Sequence, residues 1–465
     1  MKKVFVFCIG GTGIRVMKSV VMLMAGGMRT NGYTIVPIIL DPHLDLEEKK
    51  NLHTLIDSYK EIYGHTIHQG SSTLNPLDGF FHAEMRTIEE LNDQLNDTQQ
   101  SAGSKEKFGS YIGQANLGLH DVNNFLIETL FSTKNLNSPL SVGFKGNPNV
   151  GTVVLGDMIE GADWFKSFKM HCEKEDRVFI ISSIFGGTGA SGYPLLEKKI
   201  RMAENEPAVK QALMGAVTVL PYYGLRDPST TGSDIDSANF YTKTKAALAY
   251  YQHTVQSDYL YYIGEKSLRQ VYDNDERKQD DKANFIELVA ASSLFDFLRR
   301  ERPERQQYLT RAIESDVDSL DLLSLGSGYK DLVKCVADFM LLRMLVNLLP
   351  KERWFPLRKN RNFDPAFYQD MDFLALGRFT ERFYDWYAEL AQNKRAFAPL
   401  NCDSTKRMEG WIKQVELEAK DDSYYLLEMV KASNKDKTKE HDNSFRFFLK
   451  FAYEAIDTYT RKINK

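Results

Sequence analysis

Cysteine is scarce in this chain, and long apolar runs are missing. The four cysteines, Cys8, Cys172, Cys335 and Cys402, lie far apart, and no CxxC pair occurs. The sequence therefore predicts neither a zinc site nor a disulfide framework, which fits a cytoplasmic location. No uninterrupted apolar stretch reaches the roughly 18 residues that a membrane span needs, so we expect no membrane span.

A net charge strongly of one sign is also missing. The 465 residues carry a formal net charge of −4, which argues against a general nucleic-acid-binding surface. The hydrophobic content of 43% is enough for large cores, and the length predicts two or three domains. The N-terminal "MKKVFVFCIGG" breaks at Gly10 without a cleavage site of small residues, so we interpret it as a buried first strand rather than a signal peptide.

Apolar runs alternate with helical patterns over the first 300 residues. Five runs are typical of buried strands: "KKVFVFCIGG", "YTIVPIILDPHLD", "RVFIISSIFGGTGASG", "ALMGAVTVLPYYG" and "DYLYYIGEK". Strands that alternate with helices predict an α/β, Rossmann-like, mostly parallel sheet with both faces covered. We expect one domain over 1–300, with a helix-rich insertion or long connections over 46–140.

The pattern changes near position 330. Segments such as "KDLVKCVADFMLLRMLVNLL" and "SFRFFLKFAYEAIDTYTRKI" favour a period of 3.6 over strict alternation. The long apolar "ANFIELVAASSLFDFLRR" before this point predicts a central helix. We therefore expect a linker over 301–330 and a largely helical C-terminal domain over 331–465.

Two glycine-rich loops, "CIGGTGIR" and "IFGGTGASG", each follow a predicted strand and precede a predicted helix. Such a turn presents free backbone N–H groups and the positive end of the helix dipole, which suit phosphate. Thr188 and Ser191 could add hydroxyl donors. Neither loop is a Walker motif, and "GGTGIR" matches GxGxxG only in part, because Val16 replaces the last glycine. A tight strand-to-helix turn is the alternative for either loop alone, as a surface turn is for "GFKGNPNVG", which lies between them.

The order of these motifs resembles the tubulin/FtsZ family of GTPases, in particular its bacterial members. "IGGTGIR", "ILDPHLD", "GFKGNPNVG" and "FGGTGASGYP" are similar to the family's first glycine loop, acidic loop, GxGxNPxxG-like loop and GGGTGTGxxP loop. "SANFYTKTKAALAYYQHTVQ" and "KANFIELVAASSL" are similar to the two stretches in which an asparagine contacts the base. The resemblance covers roughly residues 3 to 300.

The resemblance implies bound GTP or GDP with Mg²⁺. It implies that the first loop lines the α- and β-phosphates, that Gly146 and Asn147 sense the γ-phosphate, and that the fourth loop cradles the phosphate tail. Gly143, in the same loop as Gly146, would also belong to the nucleotide site. Asp41 and Asp45 would face the magnesium ion, and Asn239 and Asn284 would hold the guanine, with a helix N-cap as the alternative for each asparagine. The glycine-loop residues of this set are Gly10, Gly11, Thr12, Gly13, Gly186, Gly187, Thr188 and Gly189.

Three features depart from the family pattern. Phe185 replaces the first glycine of the fourth loop, and Arg15 stands where the family has an amide that touches nucleotide; an arginine there could still pair with phosphate or stack on a base. The loop after the central helix is basic where the family has catalytic acids. Only Asp316, Asp318 and Asp321 resemble that acidic pattern, and an ordinary acidic turn is the alternative.

Three functions remain open. The first is a GTPase that assembles head to tail into filaments, each subunit completing its neighbour's site. The second is a non-polymerising guanine-nucleotide sensor that acts on a protein partner through its C-terminal helices. The third, a dinucleotide-dependent oxidoreductase, leaves "GFKGNPNVG" and "FGGTGASG" without a role.

Overall fold

The computed structural model describes residues 1–42, 47–67, 79–92, 106–118, 121–140, 144, 146–225, 240–265, 270–272, 282–313, 317–325, 327–350, 363–401 and 444–461. Within these residues, no helix has both the length and the apolar character needed to cross a bilayer.

The centre of the molecule is a six-stranded parallel sheet with the order β2-β1-β3-β4-β6-β8. The predicted parallel α/β architecture is confirmed. Two further two-stranded sheets pair β5 with β7 and β9 with β10. The strands are β1 (Lys3–Ile9), β2 (Thr34–Leu40), β3 (Arg177–Ser183), β4 (Leu213–Val219), β5 (Tyr223–Leu225), β6 (Tyr259–Glu265), β7 (Gln270–Tyr272), β8 (Gln307–Ile313), β9 (Ser319–Leu320) and β10 (Ala396–Phe397).

Helices cover the sheet and form most of the described C-terminal residues. They are α1 (Gly10–Ala25), α2 (Glu47–Thr66), α3 (Phe108–Tyr111), α4 (Val122–Leu130), α5 (Thr133–Leu136), α6 (Pro148–Gly161), α7 (Asp163–His171), α8 (Gly187–Arg201), α9 (Pro207–Lys210), α10 (Phe240–Thr254), α11 (Phe285–Arg299), α12 (Leu322–Leu325), α13 (Lys330–Leu348), α14 (Met371–Gln392) and α15 (Ser444–Thr460). Short 3-10 turns lie at Glu89–Leu91, Gln114–Asn116, Ser327–Tyr329 and Phe367–Gln369.

The two faces of the sheet bury separate hydrophobic clusters. Because side chains alternate along a strand, Val4 and Val6 of β1 face one cluster with α1, α2 and α11, while Phe5 and Phe7 face the other with α6, α7 and α8. The helices α13, α14 and α15 belong to the first cluster. The predicted C-terminal helices are therefore present, and their hydrophobic core is continuous with that of the sheet.

The strand order changes direction at β1. The chain crosses from β1 to β2 on one side and then returns to β3 on the other, so β1 and β3 are neighbours at the switch point. In open α/β sheets, ligands bind in the crevice at the carboxyl ends of the strands beside such a point. Both glycine loops, which follow β1 and β3, lie there.

The region after the central helix contains a strand that the sequence analysis assigned to a linker. β8 pairs in parallel with β6 and forms the edge of the sheet. Tyr308, Thr310 and Arg311 of this strand are exposed. The sequence of β8 therefore lacks the regular alternation of apolar and polar residues by which a half-buried strand is predicted.

Candidate functional site

The first glycine loop is the opening turn of α1. β1 ends at Ile9 and the helix begins at Gly10, whose φ of +71° is a left-handed conformation that favours glycine. A Cβ atom on Gly13 would lie 2.7 Å from the carbonyl carbon of Cys8 and 3.1 Å from the carbonyl oxygen of Ile181. Glycine at this position therefore lets α1 start directly against β1 and β3.

The fourth loop repeats this arrangement after β3. Gly186 is the N-cap residue of α8, which begins at Gly187. A Cβ on Gly189 would lie 2.4 Å from the carbonyl oxygen of Ser183, so this helix also turns back against the end of its strand. The hydroxyl of Ser191 donates to the Gly187 carbonyl oxygen at 2.7 Å, so this expected ligand donor bonds within its own helix.

The described part of the third loop touches the fourth. A Cβ on Gly187 would lie 3.0 Å from the backbone nitrogen of Asn147 and 3.1 Å from that of Gly146. A Cβ on Gly10 would in turn lie 3.4 Å from Cβ of Thr188. Three loops that are far apart in the sequence therefore meet at one point on the carboxyl edge of the sheet.

The helices at this point begin without side-chain caps. The N-cap residues of α1, α6 and α8 make no side-chain capping hydrogen bond. The same holds for α3, α7, α9 and α13, whereas Asp121, Ser132, Asn284 and Asp370 cap α4, α5, α11 and α14. Three helix N-termini thus direct backbone N–H groups and positive dipole ends to one place, which is the arrangement that binds anions.

Lys243 adds a positive charge beside the third loop. Its Nζ donates to the Gly146 carbonyl oxygen at 2.9 Å, and Gly146 has a φ of +73°. Lys243 comes from α10, on the same face as α6 and α8. The sequence analysis missed this residue, because one lysine on a predicted helix carries no sign of what it faces.

Phe185 anchors its loop at the position where the resemblance to tubulin/FtsZ proteins would place a glycine. It is 3% exposed, and its ring lies 5.0 Å from the Phe240 ring and 5.5 Å from the Tyr223 ring. The aromatic contact joins the fourth loop to the start of α10. The departure from the family pattern therefore has a packing reason.

Asp41 follows β2 on the same edge of the sheet, next to β1, and is 6% exposed. A buried carboxylate at this edge suits Mg²⁺, which prefers oxygen ligands. Among the described residues, no group of three or more His, Cys, Asp or Glu side chains could hold a metal ion by itself. An ion here would take most of its ligands from phosphate and water. Asp45 lies outside the described residues.

Arg15 joins α1 to the central helix. Its Nε lies 2.7 Å from Oε1 of Glu287, and its Nη2 donates to the Tyr222 hydroxyl at 3.1 Å and to Thr12 Oγ1 at 3.4 Å. Tyr222 also donates to Glu287 at 2.5 Å. The guanidinium expected to meet nucleotide thus holds two helices together beneath the first loop, and a nucleotide contact from it stays a prediction.

Asn284 caps α11. Its side-chain oxygen accepts from the backbone N–H of Ile286 at 2.9 Å, and the Glu287 carboxylate accepts from the backbone N–H of Asn284 at 3.0 Å. This capping box follows the alternative considered for Asn284, and the pattern Asn-x-x-Glu was available in the sequence. Asn239 and Gly143 lie outside the described residues.

The two described candidate acids, Asp318 and Asp321, follow β8 and lie at the same end of the sheet as the glycine loops. β8 runs parallel to β6, so the chain beyond it leaves the carboxyl edge of the sheet. Asp318 is exposed, and Asp321 Oδ1 accepts from the Ser324 backbone N–H at 2.9 Å. A residue that serves a neighbour in a head-to-tail contact would lie at the other pole, so this position favours an ordinary acidic turn. Asp316 lies outside the described residues.

Two buried hydroxyls lie at the same strand ends. Ser182 and Thr218 are register partners in β3 and β4, and each is 1% exposed. Within the described residues, neither hydroxyl oxygen has a hydrogen-bond partner. Unpaired buried polar groups are costly, and they concentrate where a protein meets a ligand or an ordered water.

Comparison with known proteins gives no independent evidence for a function of this site. No protein-family model matches the chain, and no curated protein is significantly similar to it.

Proposed function

We propose that this protein binds GTP and GDP at the junction of its three glycine loops and hydrolyses GTP. The observation that carries the proposal is the convergence of three uncapped helix N-termini at the β1–β3 switch point. A polyanionic phosphate tail satisfies several such termini at once. The tubulin/FtsZ resemblance of the same loops supports guanine as the base and Mg²⁺ as the ion.

The glycines let the loops of the site lie directly against one another: a methyl group at Gly187 would lie 3.0 Å from the backbone nitrogen of Asn147 and 3.1 Å from that of Gly146. In the proposed complex the Gly146 N–H and those of the first loop hold the phosphate oxygens, while the Asn147 N–H already donates to the Phe144 carbonyl oxygen at 2.8 Å. The hydroxyls of Thr12 and Thr188 add donors, and Asp41 orients the waters of the ion. The bound Mg²⁺ supplies charge neutralisation for phosphoryl transfer to water, and the fixed backbone dipoles stabilise the charge that develops.

The alternative is a nucleotide sensor that does not polymerise. Two observations favour it: Asp318 and Asp321 lie at the same end of the sheet as the glycine loops, and the C-terminal helices share a core with α1. A change at the first loop would then reach α13–α15 through packed side chains. A protein partner that contacts those helices would detect the nucleotide state.

Thermal unfolding with GTP, GDP and ATP tests nucleotide binding. At a ligand concentration of about 100 Kd, binding stabilises the native state by about 2.7 kcal/mol. We expect stabilisation by GTP and GDP but not ATP, and its loss in Gly187→Ala. Gly156→Ala in α6 is the matched control, because a Cβ there meets nothing within 4 Å. Equal GTP stabilisation of Gly187→Ala and the wild type would disprove the phosphate cradle.

Phosphate release and sedimentation at increasing protein concentration separate the two functions. If assembly builds the active site, turnover per subunit rises steeply with concentration and GTP-dependent polymer sediments. Constant turnover without polymer supports the sensor. Binding without any phosphate release would contradict the proposed hydrolysis.

A further inference from the structure

The two outermost strands of the central sheet differ in what covers them. Beside β2, the backbone N–H of Ile35 donates to the Glu84 carbonyl oxygen at 3.0 Å, and the N–H of Arg86 donates to the Ile35 carbonyl oxygen at 3.0 Å. Beside β8, no strand or bridge of the described chain pairs with the outer side. An uncovered outermost strand presents N–H and C=O groups that can pair with another chain.

The outer side of β8 consists of alternate backbone groups. The N–H of Gln307 donates to the Asp258 carbonyl oxygen at 2.9 Å, on the side of β6. Because this direction alternates along a strand, the backbone groups of Tyr308 and Thr310 point away from β6. Both residues are exposed. The Arg311 guanidinium donates to the Thr310 carbonyl oxygen at 3.2 Å, and an incoming N–H can replace this contact.

A cavity of about 130 Å³ lies beside this strand, between β8, α11 and the start of α13. A cavity needs about 10–15 Å³ to hold one water molecule, so this one has room for the end of a polar side chain. Leu309 and Arg311 of β8 border it. The side chains of an added strand would alternate between the two faces of the sheet, so every second one would lie on the face with this cavity.

The lining of this cavity carries a positive charge in excess. Its charged residues are Arg299, Arg300, Arg311, Asp296 and Asp331. Arg300 pairs with Asp296 at 2.6 Å. In the described part of the molecule, Arg299 and Arg311 form no ion pair, and both are exposed and therefore accessible to a ligand. Two arginines against the one remaining carboxylate favour an acidic side chain, whose carboxylate matches the guanidinium fork.

The other face of β8 presents an aromatic side chain. Tyr308 is 55% exposed, and its register partner Leu260 belongs to the cluster on that face. Aromatic residues form favourable cross-strand pairs with β-branched residues. The strand that fits beside β8 therefore alternates acidic residues on the cavity face with apolar residues on the Tyr308 face.

We propose that β8 binds an extended acidic segment of a partner protein as an additional strand. The segment's backbone pairs with Tyr308 and Thr310, and one of its carboxylates enters the cavity and pairs with Arg299 and Arg311. Main-chain hydrogen bonds give affinity in this mode of recognition, and pockets for alternate side chains give specificity. A second copy of β8 would bring further arginines to the same cavity, so charge favours a different, acidic partner. The proposal does not depend on nucleotide binding.

Fluorescence anisotropy with blocked, labelled seven-residue peptides tests the partner class on the full chain. We expect binding of a peptide in which glutamate alternates with valine. Glutamine in place of glutamate should weaken binding by at least about tenfold, through loss of charge-assisted hydrogen bonds, and lysine should abolish it. Methylation of every backbone nitrogen keeps the carboxylates but removes the donors, so it should also abolish binding. Absence of binding by the glutamate peptide, or equal binding by its lysine or methylated version, would overturn the proposal.

Variants of the protein locate the peptide. Arg299→Gln with Arg311→Gln should weaken the glutamate peptide by about tenfold and leave the glutamine peptide unchanged. Lys198→Gln with Arg378→Gln removes the same charge at exposed positions on α8 and α14 and is the control. Thr310→Pro removes an outward N–H and should abolish binding, whereas Thr310→Val should not.

Two outcomes would refute the site even if Thr310→Pro fails to fold. One is unchanged affinity for the glutamate peptide in the doubly substituted Arg299/Arg311 variant. The other is a dimer of the wild type in sedimentation velocity that Thr310→Lys dissociates, because the strand would then belong to a second copy of this chain.

Discussion

The two edges of the central sheet are built from different groups. At the amino edge, Asp176 is buried and accepts from the backbone N–H groups of Lys3 at 2.6 Å and Glu173 at 2.9 Å. The Lys3 ammonium adds an ion pair with Asp176 at 3.1 Å. At the carboxyl edge, glycines and uncapped helix N-termini occupy the corresponding places. One edge satisfies its backbone groups with side chains, and at the other edge the helices α1 and α8 begin without a side-chain cap.

The amino edge shows the same principle at a second residue. Asp258 accepts from the Met214 backbone N–H at 2.8 Å and pairs with Arg201 at 3.1 Å. Arg177 donates to the Phe297 carbonyl oxygen at 2.7 Å and closes the end of α11. These contacts complete the fold without any partner. We therefore expect substitutions at the amino edge to change stability and those at the carboxyl edge to change ligand affinity.

We expect the largest loss of stability from a substitution of Arg15, which is an exception to the division between a structural amino edge and a ligand-binding carboxyl edge. Arg15 lies near the carboxyl edge, but its contacts with Glu287 and Tyr222 are internal. Arg15→Met leaves the buried Glu287 carboxylate without its charge partner, which should lower the free energy of unfolding by about 3–5 kcal/mol. Tyr222→Phe should cost only about 1 kcal/mol. Urea unfolding measures both values.

Unchanged stability of Arg15→Met would contradict a structural role for Arg15. A variant of wild-type stability that no longer responds to GTP would make Arg15 a nucleotide ligand, as the family pattern suggests, rather than a link between α1 and α11. The carboxyl edge would then contain no structural exception. A loss of stability with retained GTP affinity is the expected result.

The next effect concerns the amino edge itself. Asp176→Ala removes the acceptor of two backbone N–H groups and of the Lys3 ammonium. We expect a loss of about 2–4 kcal/mol in the free energy of unfolding. Glu175→Gln, which removes an exposed partner of Lys2, should change stability by less than about 0.5 kcal/mol. GTP affinity should be unchanged in both variants. If Asp176→Ala lost GTP affinity as well as stability, the two edges of the sheet would not have separate roles.

A buried carboxylate between the C-terminal helices, Asp338, should make the stability of the protein depend on pH, unlike the contacts at the two edges of the sheet. Burial raises the pKa of Asp338 to about 6, although Lys334 and Thr460 favour its charged form. Between pH 4 and 6 the folded state then holds this proton more tightly than the unfolded state. The contribution of Asp338 to stability falls as the pH rises through that window, by at most about 1.4 kcal/mol per pH unit. The difference in unfolding free energy between the wild type and Asp338→Asn, measured from pH 4 to 7, isolates this slope. A difference that stays constant over this range would contradict it.

The fold was more predictable than the site because its signals are local. The apolar runs of β1, β3 and β4 are buried on both faces, so each is continuous in the sequence. β8 was missed because an edge strand with exposed Tyr308 and Arg311 lacks that signal. Glycine spacing predicted the strand-to-helix turns that the structure contains after β1 and β3. It could not show that Arg15 meets Glu287, because that contact depends on how α1 and α11 pack.

We expect the smallest effect from a substitution of Lys243, which tests whether the carboxyl edge holds its ligand with backbone N–H groups alone. Lys243 donates to the Gly146 carbonyl oxygen and steadies the third loop in its left-handed conformation. Lys243→Met keeps most of the side-chain volume and removes one hydrogen bond, so we expect GTP affinity to fall by about threefold and stability to change by less than about 1 kcal/mol. Lys245→Met, at an exposed position on the same helix, should change neither quantity. A loss above about 100-fold would instead show that Lys243 binds phosphate directly, because a charged contact to phosphate contributes more than one loop hydrogen bond. In that case the carboxyl edge would use side-chain charge as well as backbone donors to hold its ligand.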